Sequence, residues 1–173
     1  MRRTIITVAV FLVAGSAGAQ RITRFDTKQL PASVRVAVSK PLKDCSQRRI
    51  ERGFITRPDI NGDGTADYVV DFGKLKCEGS RDYCGSAGCL MFVFVSREQR
   101  FVQIIGENLR GLKFFKVGSG FALETEHHGT RCDKSGADEC SATFLWKKDR
   151  FVLSKSSPGF TEGTPFPGIW FRR

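Results

Sequence analysis

A mainly β, disulfide-braced single domain with a short N-terminal helix is the fold class predicted by this 173-residue sequence, and three observations predict it. An apolar strand, a tight polar turn and a phenylalanine-led return strand follow one another three times, the pattern of an antiparallel meander or a β-sandwich-like sheet pair. Six cysteines form an even set behind an export signal. Hydrophobic residues make up 40% of the chain, including 15 Phe, enough apolar material for a packed core rather than a disordered segment.

The export signal comes first. Arg2 and Arg3 precede an apolar stretch from Ile5 to Ala14, and Ala17-Gly18-Ala19 has the A-x-A form read by signal peptidase. Cleavage is expected after Ala19, so residues 1–19 are a signal peptide and residues 20–173 one domain, periplasmic or secreted. No apolar run of about 20 residues occurs, which excludes a conventional transmembrane helix. In an oxidising compartment Cys45, Cys77, Cys84, Cys89, Cys132 and Cys140 can all be paired. No C-x-x-C is present, so a zinc ribbon, a thioredoxin-type motif and a c-type haem are excluded together. The expected set is Cys84–Cys89 and Cys132–Cys140, which close short loops, and Cys45–Cys77, brought together by a hairpin described below.

Between residues 20 and 58 ten Lys/Arg stand against Asp26, Asp44 and Glu51, so the net charge of +10 is concentrated near the N-terminus. Such a segment suits a protein or anionic-surface partner, and no nucleic acid is expected because no binding module accompanies the charge. Within it Leu30-Pro31, then Ala32, Val34, Ala37, Val38 and Leu42, recur near helical spacing. The helix is expected to stop before Pro41, since proline disfavours helix at the residue preceding it.

Strands begin after Gly53. Phe54-Ile55-Thr56 and Ala66–Phe72 flank a polar loop, and Leu90–Val95 is a continuous apolar run of strand length. The three recurrences join Phe92–Val95 to Phe101–Ile105, Leu112–Phe115 to Phe121–Leu123, and Phe144–Trp146 to Phe151–Leu153. Trp146, Phe151 and the ending 165–171 read as core and sheet-packing residues. Exposed Trp170 and Phe171 beside Arg172 and Arg173 would instead form a partner-binding tail.

The most specific motif lies in the polar loop, Asp59-Ile-Asn61-Gly-Asp63-Gly64-Thr65-Ala-Asp67. A Ca²⁺ ion takes six to eight oxygens, and carboxylate or amide groups at alternate positions around a glycine turn supply them from one short loop. Asp59, Asn61, Asp63 and Asp67 would give side-chain oxygens and Thr65 its carbonyl. The twelfth position is Val70, not the bidentate Glu of an EF-hand. The loop resembles the D-x-[DN]-x-D-G-x-x-D calcium hairpin of FG-GAP/VCBS-type repeats, and this resemblance implies a strand–loop–strand calcium site over residues 54–72. A hairpin centred near Asp63 also sets Cys45 close to opposite Cys77. The whole chain is similar to small exported proteins of Gram-negative bacteria that share a helix, the D-x-N-G-D-G loop, the Cys84-Gly-Ser-Ala-Gly-Cys89 segment and a closing aromatic hairpin. That resemblance implies location and architecture rather than an activity.

For catalysis the sequence offers little. Glu124, Glu126 and His128 would share one strand face at two-residue spacing and could act as the acid–base set of a small hydrolase. No nucleophile elbow, zinc helix or phosphate loop occurs. The favoured expectation is an exported non-catalytic binding protein with one structural calcium site, in the manner of a periplasmic inhibitor or immunity protein.

Overall fold

The structure, a computed structural model, describes residues 26–78 and 83–161. The expected signal peptide with its cleavage site and the aromatic segment 165–173 lie outside those residues. In chain order the elements are α1 (Ala32–Lys43), β1 (Gln47–Ile50), β2 (Ile55–Thr56), β3 (Tyr68–Asp71), β4 (Leu75–Glu78), β5 (Cys84–Gly85), β6 (Gly88–Arg97), β7 (Arg100–Leu109), β8 (Gly111–Val117), β9 (Gly120–His127), β10 (Cys140–Lys147) and β11 (Arg150–Ser156). One sheet runs β2-β3-β6-β7 with β5 beside the start of β6, the second runs β8-β9-β10-β11, and β1 pairs with β4 as a separate ribbon. Every pairing is antiparallel. No helix among the described residues is long and apolar enough to cross a membrane.

Strand β6 explains the layering. Met91, Val93 and Val95 face the second sheet and join Leu123, Ala142, Phe144 and Phe151 in one core. Leu90, Phe92 and Phe94 point the other way, into a second core with Val34, Val38 and Leu42 of α1 and with Phe54, Tyr68, Val70 and Phe72. A strand read by both cores must be apolar at every position, which is why this run does not alternate. Its partner β7 carries a bulge: Val93 faces Ile105 and Phe94 faces Gln103, leaving Ile104 as the extra residue. Ile104 and Ile105 thereby both enter the core between the sheets.

All three expected hairpins form, as β6–β7, β8–β9 and β10–β11. They do not make one continuous meander. At Arg110 the chain leaves the first sheet and starts the second, so the first hairpin lies against the other two instead of beside them. The double-faced apolar β6 requires this, because a single sheet would leave one of its faces in water.

Helix α1 corrects the expected boundary. It passes through Pro41 and ends at Lys43. Val34, Val38 and Leu42, four residues apart, are all at most 3% exposed. Burying Leu42 offsets the single amide bond that proline removes near the helix end. Arg48 then donates from Nη1 to the Leu42 carbonyl at 3.0 Å, satisfying a terminal acceptor.

The disulfides are Cys45–Cys77, Cys84–Cys89 and Cys132–Cys140, as expected, and no cysteine is free. The hairpin through Asp63 continues from β2–β3, where Ile55 faces Val70, to β1–β4, where Arg48 faces Cys77. Cys45 follows α1 directly, so its bridge fastens the end of the helix to β4. Each bridge contributes about 2–4 kcal/mol, mainly by restricting the unfolded chain. Cys84 and Cys89 face one another across β5–β6. Gly88 completes that tight turn at φ +93, where a Cβ would lie 2.0 Å from the Leu109 carbonyl oxygen.

Phe94 is wholly buried between β6 and α1. Phe94→Ala is expected to cost about 4 kcal/mol, read as a lower denaturant midpoint with intact disulfides.

Candidate functional site

The 59–67 loop is built by its own side chains. Asp59 accepts from the amides of Gly62 at 2.7 Å and Gly64 at 3.0 Å. Asn61 Oδ1 accepts from Asp63 N at 3.1 Å, and Asp63 Oδ1 from Thr65 N at 2.7 Å. The second Asp63 oxygen accepts from Asn61 Nδ2 at 3.0 Å and from the Ser96 hydroxyl at 2.9 Å. Burial pushes the Asp63 carboxyl up, but the hydrogen bonds from Asn61, Thr65 and Ser96 outweigh it and hold the group below its ordinary value. Gly62, at φ +79, packs where a Cβ would strike the Phe121 ring, so the loop lies against β9.

Asp67 has a different position from the other four. It has no exposed surface, and its two oxygens accept from Ile60 N at 2.8 Å and Ser96 N at 2.7 Å, tying the loop to the end of β6. Desolvation pushes its pKa up against those two hydrogen bonds. Of the five expected ligands, Asp59, Asn61 and Asp63 curl together around the turn beside Thr65, while Asp67 is spent on backbone amides. Each carboxylate oxygen that accepts one amide keeps another lone pair, so the donor chemistry of the turn suits a hard, oxygen-seeking cation. Among the described residues no three His, Cys, Asp or Glu side chains are gathered as a metal-binding group.

The second expected set separates. Glu124 and Glu126 share the outer face of β9, where Lys113 Nζ reaches them at 3.3 and 3.1 Å. The hydrogen bonds that Lys113 donates to Glu126 and then to Glu124 raise its pKa. His128 lies past the strand end, with Nδ1 2.8 Å from the Thr130 hydroxyl. His127 is the residue that turns inward, 4% exposed. Its Nε2 lies 2.7 Å from Thr125 Oγ1, which donates to the Ala142 carbonyl at 3.3 Å. On the other side of the ring Nδ1 faces Glu107 Oε1 at 3.7 Å. Glu107 also meets Arg131 at 3.4 Å. This Thr–His–Glu chain has the order of an acyl-transfer relay, but Thr125 is 3% exposed and its hydroxyl is bonded to backbone. A cleft of about 290 Å³ opens beside it, lined by Arg110, Glu124, Glu126, His127 and Glu139. Arg110, at the crossover between the sheets, donates to the carbonyls of Ser86, Gly136 and Asp138 and so joins two loops at this end of the molecule.

The basic N-terminal segment is arranged around α1. Arg35, Val36, Lys40 and Lys43 are exposed, and the helix contains no acidic residue. Arg48 lies at the helix C-terminus beside them.

No protein-family model, curated protein or solved structure matches the chain. His127, Glu107, Arg131 and Arg110 were not legible as a group. Strand parity placed His127 with Leu123 and Thr125, which was a usable signal for its burial. Nothing local joined Glu107 or Arg131 to it.

Two outcomes are expected. Asp67→Ala should cost on the order of 3 kcal/mol with or without added metal, because it orphans two amides at once. For His127, desolvation and then Arg131 lower the pKa from 6.5 to about 4, so its stabilising contribution is present above 6.5 and lost as pH falls toward 4. Glu107 has the opposite sign, because burial raises its pKa. The stability difference between wild type and His127→Gln therefore isolates the histidine, and it should shrink by about 2 kcal/mol between about pH 7.5 and pH 5 in urea melts.

Proposed function

We propose that the protein is an exported, non-catalytic binding protein, of the periplasmic inhibitor or immunity type, with one structural calcium ion in the 59–67 loop. The observation that carries this reading is the unbalanced cationic surface of α1. On a helix whose Val34, Val38 and Leu42 are buried, Val36, Lys40 and Lys43 stand on the opposite crest. Arg35 and Arg48 flank them, and no carboxylate within the helix answers the charge. Such a face recruits an anionic partner and raises its encounter rate.

A rigid scaffold supports the same reading. The Cys45–Cys77 bridge and the second core hold α1 on the sheet, and the histidine best placed for acid–base chemistry is only 4% exposed beside Thr125. A small hydrolase using Glu124, Glu126 and His128 has less support, because Lys113 holds both carboxylates and His128 bonds to Thr130.

Calcium would be held by Asp59, Asn61, Asp63 and the Thr65 carbonyl, with Asp67 bracing the loop from behind. Its contribution would be to neutralise the clustered carboxylates and stiffen the end of the molecule where the loop packs on Phe121.

Charge reversal tests the binding surface. The triple variant Arg35→Glu, Lys40→Glu, Lys43→Glu should keep the wild-type melting temperature within a few degrees and lose a partner captured by the wild type from periplasmic extract. Retention of that partner by the variant would move the binding surface elsewhere. Calcium at a hundredfold above Kd should add about 2.7 kcal/mol to EGTA-stripped protein, and Asp63→Ala should abolish the gain. A melt unchanged by calcium, without binding heat, would reduce the loop to a turn.

A further inference from the structure

We propose that β8 is a dimerisation strand, pairing antiparallel with β8 of a second copy about a two-fold axis at Phe115. Strand β8 lies at the open edge of the second sheet, and among the described residues it pairs only with β9. The edge of a sheet presents unpaired amides and carbonyls. Three large hydrophobic side chains are exposed among the described residues, and two of them, Phe115 at 39% and Val117 at 49%, are on this strand. Two residues apart, they share one face. Leu112 and Phe114 turn into the core between the sheets, which makes the Phe115 face the outer one.

Natural edges are usually guarded by lysine. Here the guard is withdrawn. Lys113 shares the outer face, but its ammonium is drawn onto β9 by Glu124 and Glu126. Lys116 is on the other face, 5.3 Å from the centre of the Phe121 ring. The strand contains no acidic residue, and the charge of Lys113 is already met within the sheet, so an acidic partner strand is not required.

Charge and shape select both the partner and the register. An antiparallel copy centred on residue 113 or 116 would oppose lysine with lysine, which is destabilising. Centring on 114 would set Val117 against Gly111 and leave it uncovered. Centring on 115 places Phe115 against the partner's Phe115, and Val117 against the alkyl stem of the partner's Lys113. It also sets Lys116 across from the partner's Phe114. No like charges stand directly opposite one another, both exposed apolar side chains are covered, and the two four-stranded sheets become one eight-stranded sheet. The interface is isologous and closes after two copies. A strand of this length spans about 23 Å, less than a standard interface needs, so the association should be weak, reversible and dependent on concentration.

The test is sedimentation equilibrium of the exported protein from low-micromolar to near-millimolar concentration. Wild type should show a reversible monomer–dimer equilibrium. Phe115→Lys, which opposes two ammonium groups across the axis, should weaken it at least about tenfold. A mixture of Phe115→Lys and Phe115→Glu should associate although each alone is weakened. The proposal fails if wild type stays monomeric throughout, if Phe115→Lys dimerises like wild type, or if the mixture gains nothing. Should either variant melt early, amide exchange of the wild type decides. Protection over residues 111–117 that grows with concentration supports the pairing, and its absence overturns it.

Discussion

From Val93 to Ser96 strand β6 is buried, and the arrangement of the molecule follows from covering both of its sides. One face requires a second sheet, and the chain supplies it by crossing at Arg110 and continuing as β8 to β11. The other face requires a helix, and α1 extends its apolar stripe through Pro41 to supply Leu42. Each core alone would be small for a domain of this size, and small cores leave little stability after chain entropy is counted. Sharing one strand lets the two cores stabilise the same backbone, and the bridge at Cys45 fixes the helix to the β1–β4 ribbon.

Polar groups follow the same geometry. Asp67 stands at the start of β3 and reaches both Ile60 and the end of β6, so one buried carboxylate fixes the entry, the exit and the sheet contact of the loop. The carboxylates of Asp59 and Asp63 are held at the surface by Asx-type turns. At the other end of the molecule His127, Glu107 and Arg131 meet where the sheets open, and Phe160 packs on His127 with ring centroids 5.5 Å apart. Thr161 adds a hydrogen bond to the Arg131 carbonyl, so the last described residues are docked on this cluster.

The surfaces left after these demands differ in kind. The α1 crest is cationic and unanswered. The outer face of β8 is apolar and its lysine is occupied. The first suits an anionic partner of different chemistry, and the second suits a surface that is its own complement. They belong to separate layers, α1 packing on the first sheet and β8 forming the edge of the second, so occupation of one leaves the other accessible.

The three hairpins, the three disulfides, the loop with Asp59, Asn61, Asp63, Thr65 and Asp67, and the basic character of α1 were all legible in the sequence. Each depends on residues close in the chain, or on a register that one turn propagates, as from Ile55–Val70 to Arg48–Cys77. Continuous apolarity in β6 showed that it was buried, but not that a helix covered one face and a sheet the other. The division into two sheets at Arg110, the helix through Pro41 and the separate position of Asp67 were decided by tertiary contacts. So was the choice of His127 over His128. In each case the deciding energy is the burial or satisfaction of a group by residues distant in sequence: Leu42 against the sheet, Asp67 against Ser96, His127 against Phe160. A local pattern records which residues can be buried, and only the packed fold determines what each one is buried against.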